Sequence, residues 1–417
     1  MNKKSYPPSS DFSGLSIAPA LLEKLYKLNF KTPTPIQRQA IPAAIEGKDV
    51  VGIAQTGTGK TLAFGIPMLQ RLNIVKGRGL VVLPTRELAS QVDEALRQVG
   101  SSFGLRTVVL IGGASMGLQL RALKQNPHII IATPGRLNDH LQQRTVHLNN
   151  VKIVVLDEAD RMLDMGFAPQ IESILRSVSK DRQTMLFSAT MPSKIFKMAA
   201  NHMKLPVRIE VAPSGTTASN VTQEMYIIPQ REKIRLTEKI LEKFTGPVLV
   251  FTRTKHGATK LAREIRNIGH TASEIHSNRS LNQRQEALRG FKMGKYRVLV
   301  ATDIAARGID VKNIELVLNF DLPMNSEDYV HRIGRTARAG AGGHAISFVT
   351  PEQRREIRDI ERLVKKNLPI TKIPDLPPAR QSAPQFNDNF SSGNRQNFSR
   401  NKRRSFRNRR SNNSHRY

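Results

Sequence analysis

The amino-acid sequence predicts an α/β protein with two tandem domains, each a mostly parallel sheet covered by helices, followed by a disordered basic tail. Its 417 residues exceed what one ordinary core accommodates, which favours two domains. Between residues 50 and 349, short β-branched runs alternate with helical patterns, as in parallel sheets that are buried on both faces. From about residue 375 the chain is rich in Asn, Ser, Arg and Gln, a composition that cannot bury enough apolar area to fold.

The apolar runs form two sets on either side of a linker. Strands are predicted at residues 50–54, 80–83, 107–111, 129–132, 153–156 and 184–187, and then at 248–251, 298–301, 316–320 and 345–349. Residues 212–220, APSGTTASN, have the composition of a flexible linker. We therefore predict a first domain at residues 1–211, a linker at 212–222, a second domain at 223–367 and a tail at 368–417.

Charge and composition narrow the class of partner. Lys and Arg number 65 against 34 Asp and Glu, and the formal charge of +31 favours a polyanionic partner through counterion release. A role of this charge in solubility, or at an anionic membrane surface, is the alternative. The absence of cysteine excludes disulfides and thiolate metal sites. We see no apolar run of ~18 residues and no signal-peptide pattern at the start, so we expect no membrane span and a cytoplasmic location.

Residues 54–61, AQTGTGKT, carry the strongest chemical signal because they lie between a predicted strand and a predicted helix. Gly57 and Gly59 let the backbone curl so that several N–H groups face one phosphate chain. Lys60 would reach the β- and γ-phosphates, and the Thr61 hydroxyl would ligate Mg²⁺. Ala54 occupies the first position, where the usual pattern has Gly. The predicted phosphate cradle consists of Ala54, Gln55, Thr56, Gly57, Thr58, Gly59, Lys60 and Thr61.

A pair of carboxylates follows the predicted strand at residues 153–156, at the edge where ligands of parallel sheets bind. Asp157 would hold Mg²⁺, and Glu158 would polarise the attacking water. Alone, the acidic tetrad DEAD is more often a solvated loop than a site. Together with Lys60 and Thr61 it indicates a nucleotide-hydrolysing centre.

The segments AQTGTGKT and DEAD resemble those of the DEAD-box family of superfamily 2 RNA helicases, most of all its bacterial RhlE-type members. The family's other motifs follow in order within residues 12–363: PTRELA at 84–89, a glycine doublet at 112–113, TPGR at 133–136, SAT at 188–190, VFTRT at 250–254, ATDIAARGID at 301–310 and HRIGRTAR at 331–338. The resemblance implies that both domains have the RecA-like fold. It also implies that ATP, with Mg²⁺, and RNA bind across the cleft between them.

The segment NFKTPTPIQ, upstream of the phosphate cradle, is a candidate for recognising the base. The Gln37 amide can pair bidentately with N6 and N7 of adenine, and Phe30, seven residues earlier, can stack on the ring. In the resembling family this segment makes the enzyme prefer ATP, and Phe12 supports it. The resemblance further implies that Gly308 and Asp310 contact the nucleotide from the second domain.

Arg335 and Arg338 lie three residues apart, on one side of a helix or turn. Their guanidinium groups suit a γ-phosphate that gains charge in the transition state, and such residues contribute about 10³–10⁵-fold in related NTPases. The resemblance implies that a further set of residues couples the two domains. This set comprises Asp160, Ser188, Thr190, His331 and Arg332.

RNA contacts are expected from small hydroxyls, glycine amides and arginines, because a sequence-blind binder grips phosphates and 2′-OH groups. The candidates are Thr85, Arg86, Gly113, Thr133, Gly135 and Arg136 in the first domain, and Arg253, Arg284 and Thr302 in the second. Gly112 and Gly113 have the alternative role of a tight turn. Leu281 stands three residues before Arg284, where the family usually has Gln, and its apolar side chain cannot make the phosphate-side hydrogen bond of that Gln.

The predicted function is ATP-dependent, local unwinding or remodelling of RNA duplexes and RNA–protein complexes. The resemblance implies closure of the domains on single-stranded RNA or short duplexes, while the helix around residues 137–141 bends one strand and releases its partner. The alternatives are a DNA helicase of the same superfamily and an RNA chaperone that acts mainly through the basic tail. The tail either tethers RNA or only solubilises the protein. Ribosomal precursors and the RNA degradation machinery are candidate partners.

Overall fold

Two parallel sheets dominate the part of the chain that the structure describes. This computed structural model describes residues 11–55, 57–211, 221–306, 311, 313–336, 342–364 and 366–378. All strand pairings within the two sheets are parallel, and helices connect the strands. The predicted pair of parallel, helix-covered sheets is confirmed, whereas the disorder predicted for residues 379–417 lies outside the described residues.

The first domain contains a seven-stranded sheet in the order β3-β4-β2-β5-β6-β1-β7. Its strands are β1 (Val50–Ile53), β2 (Arg78–Val82), β3 (Thr107–Leu110), β4 (Ile129–Ala132), β5 (Val151–Leu156), β6 (Gln183–Ser188) and β7 (Val207–Glu210). Its helices are α1 (Pro19–Lys27), α2 (Pro35–Ile45), α3 (Lys60–Leu72), α4 (Arg86–Gly100), α5 (Met116–Lys124), α6 (Pro134–Gln142), α7 (Ala159–Asp164), α8 (Ala168–Ser177) and α9 (Ser193–His202). Successive side chains point to opposite faces, so Val50 and Val81 join one apolar cluster and Val51 and Val82 the other.

The second domain contains a six-stranded sheet in the order β10-β11-β9-β12-β13-β8. Its strands are β8 (Val221–Ile227), β9 (Val248–Phe251), β10 (Ala272–Ile275), β11 (Val298–Ala301), β12 (Leu316–Asn319) and β13 (Gly343–Val349). Its helices are α10 (Lys233–Lys243), α11 (Lys255–Asn267), α12 (Leu281–Lys292), α13 (Asp303–Ala306), α14 (Ser326–Ile333) and α15 (Arg354–Val364). Val248 and Val250 pack on one face of this sheet, and Leu249 and Phe251 pack on the other.

Every predicted strand lies on an observed strand, but three observed strands were not predicted. These are β7, β8 and β10, and each lies at the edge of its sheet. Their sequences, VRIE, VTQEMYI and ASEI, contain polar or charged residues because an edge strand is less completely covered than a central one. A search for continuous apolar runs therefore finds the central strands and the apolar edge strand β3, but misses edge strands with polar residues.

The structure corrects the predicted end of the linker. β8 begins at Val221, and its register pairs Val221 with Gly343 and Thr222 with His344 of β13. The last two residues assigned to the linker, 221–222, therefore belong to the second sheet. Residues 212–220 lie outside the described part of the chain.

The structure also moves the predicted start of the tail at residue 368. Leu368 packs into the core formed by β8, α14 and α15, and Ile370 forms a parallel bridge with Met225. Further along, Arg235 Nε donates to the carbonyl of Pro377 over 2.6 Å. Apolar residues recur within LPITKIPDL, and they attach this segment to the second domain before the polar composition begins. Among the described residues, no helix combines the length and apolar character needed to cross a membrane.

Candidate functional site

The phosphate cradle is the loop that joins β1 to α3. Gly57 and Gly59 have φ angles of 84° and 89°, which lie in the left-handed region, and α3 begins immediately afterwards at Lys60. Lys60 is buried, and its Nζ donates to the carbonyl of Ala54 over 2.9 Å. Thr58 Oγ1 donates to the carbonyl of Gln55 over 2.7 Å, while Thr61 lies in the first turn of α3. Thr56 lies outside the described residues. The loop thus curls around the lysine at a helix N-terminus, the geometry that binds phosphate.

The base-recognition segment contacts this cradle directly. Gln37 lies in the first turn of α2, where its Oε1 accepts from the backbone N–H of Thr34 over 2.9 Å. Its Nε2 donates to the carbonyl of Gly59 over 3.0 Å. An amide has two lone pairs on oxygen and two N–H donors, so one of each is left for N6 and N7 of adenine. Phe30 is 39% exposed, whereas Phe12 is buried in the first-domain core.

The carboxylates follow β5 without a gap. Asp157 is buried, and one of its oxygens accepts from the backbone N–H of Glu158 over 2.9 Å. Burial raises the pKa of Asp157 to about 6, although the positive charge of Lys60 opposes this shift. Glu158 has a φ of 52° and a ψ of 48°, a left-handed conformation that is strained for a residue with a side chain. That backbone conformation sets the direction in which the Glu158 side chain projects.

Asp160 joins the ends of β5 and β6. Its Oδ2 accepts from the backbone N–H of Ala189 at 3.0 Å, and from the N–H and Oγ1 of Thr190 at 2.9 and 3.1 Å. Its own N–H donates to Ser188 Oγ over 3.3 Å. The structure therefore brings together the three first-domain residues that were predicted to couple the domains. A carboxylate that accepts several hydrogen bonds holds the two loops in a fixed arrangement.

Arg332 is held inside the second domain. It donates to both oxygens of Asp303, at 2.5 and 2.8 Å, to Asn319 Oδ1 at 3.1 Å and to the carbonyl of Asp321 at 2.6 Å. Its guanidinium also lies 4.9 Å from the ring centre of Phe251. These contacts hold the C-terminal end of α14 against the ends of β9, β11 and β12.

A small cavity connects the two domains beside the carboxylates. First-domain Arg161, which directly follows Asp160, lies with its Nε 3.6 Å from Oε2 of Glu158. The lining residues of the cavity are Arg161, Phe251, Asp303, Asp328, His331, Arg332 and Arg335. Arg335 is buried and its Nε donates to the carbonyl of His331 over 3.3 Å. Of the other predicted second-domain groups, Gly308, Asp310 and Arg338 lie outside the described residues.

The first-domain RNA candidates gather at the carboxyl ends of three neighbouring strands, β2, β3 and β4. Thr85 caps α4 through its Oγ1, which accepts from Leu88 N, and Thr133 precedes α6. Gly113 has a φ of 76°, and a Cβ there would lie 2.3 Å from Nη1 of Arg86. Gly113 therefore serves both the turn and the close packing of an arginine. Arg136 Nη1 donates to the carbonyl of Ala114 over 3.1 Å. For Gly135, a Cβ would meet no atom within 4 Å.

The second-domain RNA candidates are divided. Arg253 is exposed after β9, and Thr302 follows β11. Arg284 is instead buried, with its Nη2 2.9 Å from Oε2 of Glu87 in the first domain. Leu281, which begins α12, packs against the apolar cluster of the first domain. In this arrangement Arg284 and Leu281 therefore contact protein across the domain boundary.

Sequence reasoning missed three charged residues that take part in the site: Glu87, Arg161 and Asp303. Glu87 lies within PTRELA, Arg161 directly follows DEAD, and Asp303 lies within ATDIAARGID. Each is a charged residue within five positions after the end of a buried strand, which was the available signal. Their partners could not be found because Glu87 and Arg284, for example, are far apart in sequence and meet only through the fold.

Comparisons with known proteins agree on one class. The model of the DEAD/DEAH box helicase family matches residues 34–198, and that of the helicase conserved C-terminal domain matches residues 232–340. The DEAD-box ATP-dependent RNA helicase CshA of Bacillus subtilis is 44% identical over 378 residues, which cover 90% of this chain and 76% of CshA. S. cerevisiae Dbp5 bound to RNA and ADP BeF3 superposes with a TM-score of 0.77 at 29% identity, covering 85% of this chain and 94% of Dbp5. Mss116p bound to ssRNA and AMP-PNP superposes with a TM-score of 0.80 at 29% identity, covering 88% of this chain and 80% of Mss116p.

Proposed function

The chain belongs to the DEAD-box family of ATP-dependent RNA helicases, and from this premise we propose that closure of its two domains on ATP and RNA drives RNA remodelling. Both domains have the RecA-like fold of this family, and the enzyme is an RNA-stimulated ATPase. One observation supports the proposed mechanism: the candidate catalytic groups lie on both domains. Glu158 adjoins Arg161 in the first domain, and Arg161 shares its cavity with His331 and Arg335 of the second.

The nucleotide would bind with its phosphates in the cradle and its base against Phe30 and Gln37. On binding, Lys60 exchanges the Ala54 carbonyl for the β- and γ-phosphates, which leaves the curled loop to donate its N–H groups. The remaining N–H and lone pair of the Gln37 amide match N6 and N7 of adenine. Gly308 and Asp310 would complete the nucleotide contacts from the second domain.

Asp157 and Thr61 fit a magnesium ion, because Mg²⁺ prefers carboxylate and hydroxyl oxygens and takes further ligands from substrate phosphates and water. The buried Asp157 carboxyl, whose pKa is raised by burial, gains a stabilised charge when a cation lies beside it. Among the described residues no group of three or more His, Cys, Asp or Glu forms a metal cage, so the protein alone offers few ligands. When bound, the ion neutralises charge that develops on the phosphate oxygens.

Hydrolysis would then depend on Glu158, which orients the attacking water, and on Arg335 and Arg338, which stabilise charge on the γ-phosphate. Asp160 transmits the state of the carboxylate loop to Ser188 and Thr190 through the bonds to its Oδ2 and N–H. His331 and Arg332 would read that state from the second domain.

RNA would lie over the carboxyl edge of β2, β3 and β4, where arginine and hydroxyl groups face a phosphate backbone. α6 begins directly after Thr133 and is placed to bend one strand, so that a short duplex loses its partner strand. Arg253 and Thr302 would extend this surface onto the second domain. Such contacts fit single-stranded RNA and short duplexes of any sequence.

The finer placement of the protein is also a proposal. The compact two-domain core with a basic extension supports a bacterial helicase of the RhlE type that acts in the cytoplasm. Ribosomal precursors and the RNA degradation machinery are the proposed settings. Crosslinking the protein to RNA in its host and sequencing the bound fragments would identify them.

The proposed coupling predicts that hydrolysis depends on RNA. RNA that contacts both domains favours the closed form, and only that form places Arg335 against the γ-phosphate. A steady-state phosphate-release assay with single-stranded RNA, with DNA of the same sequence and with no nucleic acid measures this dependence. Equal turnover under all three conditions would contradict the proposal.

A further inference from the structure

Arg161 is a buried arginine beside the catalytic carboxylate. It lies in the first turn of α7, three residues after Glu158, and its side chain is only 3% exposed. The Nε of Arg161 is 3.6 Å from Oε2 of Glu158, whose own side chain is 5% exposed. The two charges are thus shielded from water, and their attraction is stronger than that of a surface pair.

The polar atoms of this pair are poorly satisfied. Among the described residues, Nε, Nη1 and Nη2 of Arg161 have no hydrogen-bond partner, and neither has Oε2 of Glu158. Burying a guanidinium without an acceptor opposes folding, so a merely structural role would be expected to provide one. Unsatisfied buried groups of this kind are typical of sites whose partner arrives with the reaction.

The surroundings of Arg161 connect it with the second domain. Of the described residues that line the cavity, it is the one from the first domain, and it shares this lining with His331 and Arg335. Asp303, one of the two carboxylates that line the cavity from the second domain, accepts from both ends of the Arg332 guanidinium. Among the described residues, Glu158 is the carboxylate that lies within ion-pair distance of the Arg161 guanidinium.

We propose that Arg161 is a positioning residue that orients the Glu158 carboxylate toward the attacking water when the domains close. The backbone conformation of Glu158 fixes where its side chain begins, but the position of the carboxylate also depends on rotation about the side-chain bonds. A guanidinium three residues later can stop that rotation by donating to one oxygen, which leaves the other oxygen for water. Arginine suits this task because its donors are held in a rigid fork and its charge is permanent. The inference rests on the proposed role of Glu158 as the group that aligns water.

The first test is the RNA-stimulated ATPase of Arg161→Gln and Arg161→Lys in the full chain. We expect Arg161→Gln to lower kcat at saturating RNA by at least about tenfold, but by less than the ~10²–10⁴-fold that an entire general base contributes. KM for ATP should change less than about twofold, because Arg161 acts on Glu158 and not on the bound nucleotide. Arg161→Lys keeps the positive charge but lacks the rigid fork of donors, so its kcat should lie between those of the wild type and Arg161→Gln. A wild-type kcat in both variants would overturn the proposal.

Arg176→Gln is the matched control. Arg176 also pairs with a glutamate on a first-domain helix, Glu172, but its side chain is 76% exposed, and we expect wild-type kcat and KM. Thermal unfolding and binding of a fluorescent ATP analogue show whether each variant is folded. If Arg161→Gln does not fold, Arg161→Lys decides, and a wild-type kcat in that variant counts against the need for a fork.

A double-mutant cycle with Glu158→Gln separates positioning from an independent effect. In single-turnover measurements, Arg161→Gln should slow the wild-type enzyme but hardly change the residual rate of Glu158→Gln, because the group that it positions is already lost. Multiplicative losses would overturn the inference. A Glu158→Gln variant with wild-type kcat would remove its premise, the proposed role of Glu158, whereas an inactive Glu158→Gln beside a fully active Arg161→Gln would refute the inference alone.

Discussion

Gly59 is the position in the phosphate cradle where the structure leaves least room for a side chain. Its φ of 89° lies in the left-handed region, and a Cβ would lie 2.3 Å from Nε2 of Gln37 and 3.2 Å from Oγ1 of Thr34. We predict that Gly59→Ala displaces the Gln37 amide from the cradle. The substitution should therefore weaken both the stability of the first domain and the preference for ATP over GTP.

The magnitude follows from two contributions. The left-handed conformation costs an alanine about 1–2 kcal/mol. Displacing the amide breaks its bonds with the carbonyl of Gly59 and the N–H of Thr34, each of which contributes about 0.5–1.5 kcal/mol. The free energy of unfolding should then fall by about 2–5 kcal/mol, the sum of these terms. Loss of the bidentate partner of adenine should lower the ATP:GTP affinity ratio by ~5- to 150-fold, which corresponds to about 1–3 kcal/mol.

Gly104→Ala is the matched control, because Gly104 has a φ of 63° and no atom within 4 Å of the position of a Cβ. Gly104→Ala has the backbone strain without the contact between the Cβ and a neighbouring side chain. Its free energy of unfolding should therefore fall by only about 1–2 kcal/mol. Urea unfolding of the full chain measures stability, and competition of ATP and GTP against a fluorescent nucleotide measures the ratio. Gln37→Ala should lower the ratio without backbone strain. The reasoning is refuted if Gly59→Ala has the same free energy of unfolding as Gly104→Ala and the ATP:GTP affinity ratio of the wild type.

Three further predictions concern the carboxylates, the lysine and the tail. Lys60→Ala should weaken ATP binding, whereas Glu158→Gln should bind ATP almost normally and barely hydrolyse it; equal losses of affinity in equilibrium binding would contradict this division. Burial raises the pKa of Asp157 from 3.8 to about 6, so the native state loses stability as the pH rises through that window. Asp157→Asn should therefore abolish hydrolysis yet stabilise the nucleotide-free protein at pH 7.5 by up to about 3 kcal/mol, with no gain at pH 4 in unfolding experiments. Deleting residues 380–417, which hold ten Lys or Arg against one Asp, should preserve the ATPase at saturating RNA and reduce the slope of log K against log salt by about 3 if four cations meet phosphates. A change below about one unit would indicate a solubilising tail.

The sequence predicts the central strands well because their burial on both faces demands continuous apolar residues. This pattern is absent from β7, β8 and β10, which are edge strands with polar residues. Their boundaries depend on pairing with a neighbouring strand. The segment that contains Leu368 and Ile370 is missed for a related reason, since its apolar residues are too sparse to predict an element. Its conformation depends on packing against the second domain.

Within the site, motifs predicted which residues gather but not how many roles each one has. The sequence suggested adenine recognition for Gln37, whereas its bond to the carbonyl of Gly59 appears only in the structure. Arg284 stays a predicted RNA contact, and the structure adds its ion pair with Glu87 of the first domain. Contacts between residues that lie far apart in the chain depend on how the two sheets are placed, and no local pattern encodes that placement.

The charged residues of the cleft fall into two sets according to their hydrogen bonds. Residues of the frame are held by several bonds, whereas the acting groups, which are proposed to contact or orient the reactants, make few. Asp160 and Arg332 belong to the frame: one oxygen of Asp160 accepts three bonds, and the guanidinium of Arg332 donates four, so each joins the ends of neighbouring strands. By contrast, Lys60 bonds a carbonyl of its own loop, and the facing atoms of Glu158 and Arg161 have no hydrogen-bond partner among the described residues. A satisfied frame keeps the acting groups oriented before reaction, which is the arrangement that electrostatic catalysis requires. Substitutions in the frame should therefore lower stability and hydrolysis together, whereas substitutions of the acting groups should lower hydrolysis with little loss of stability.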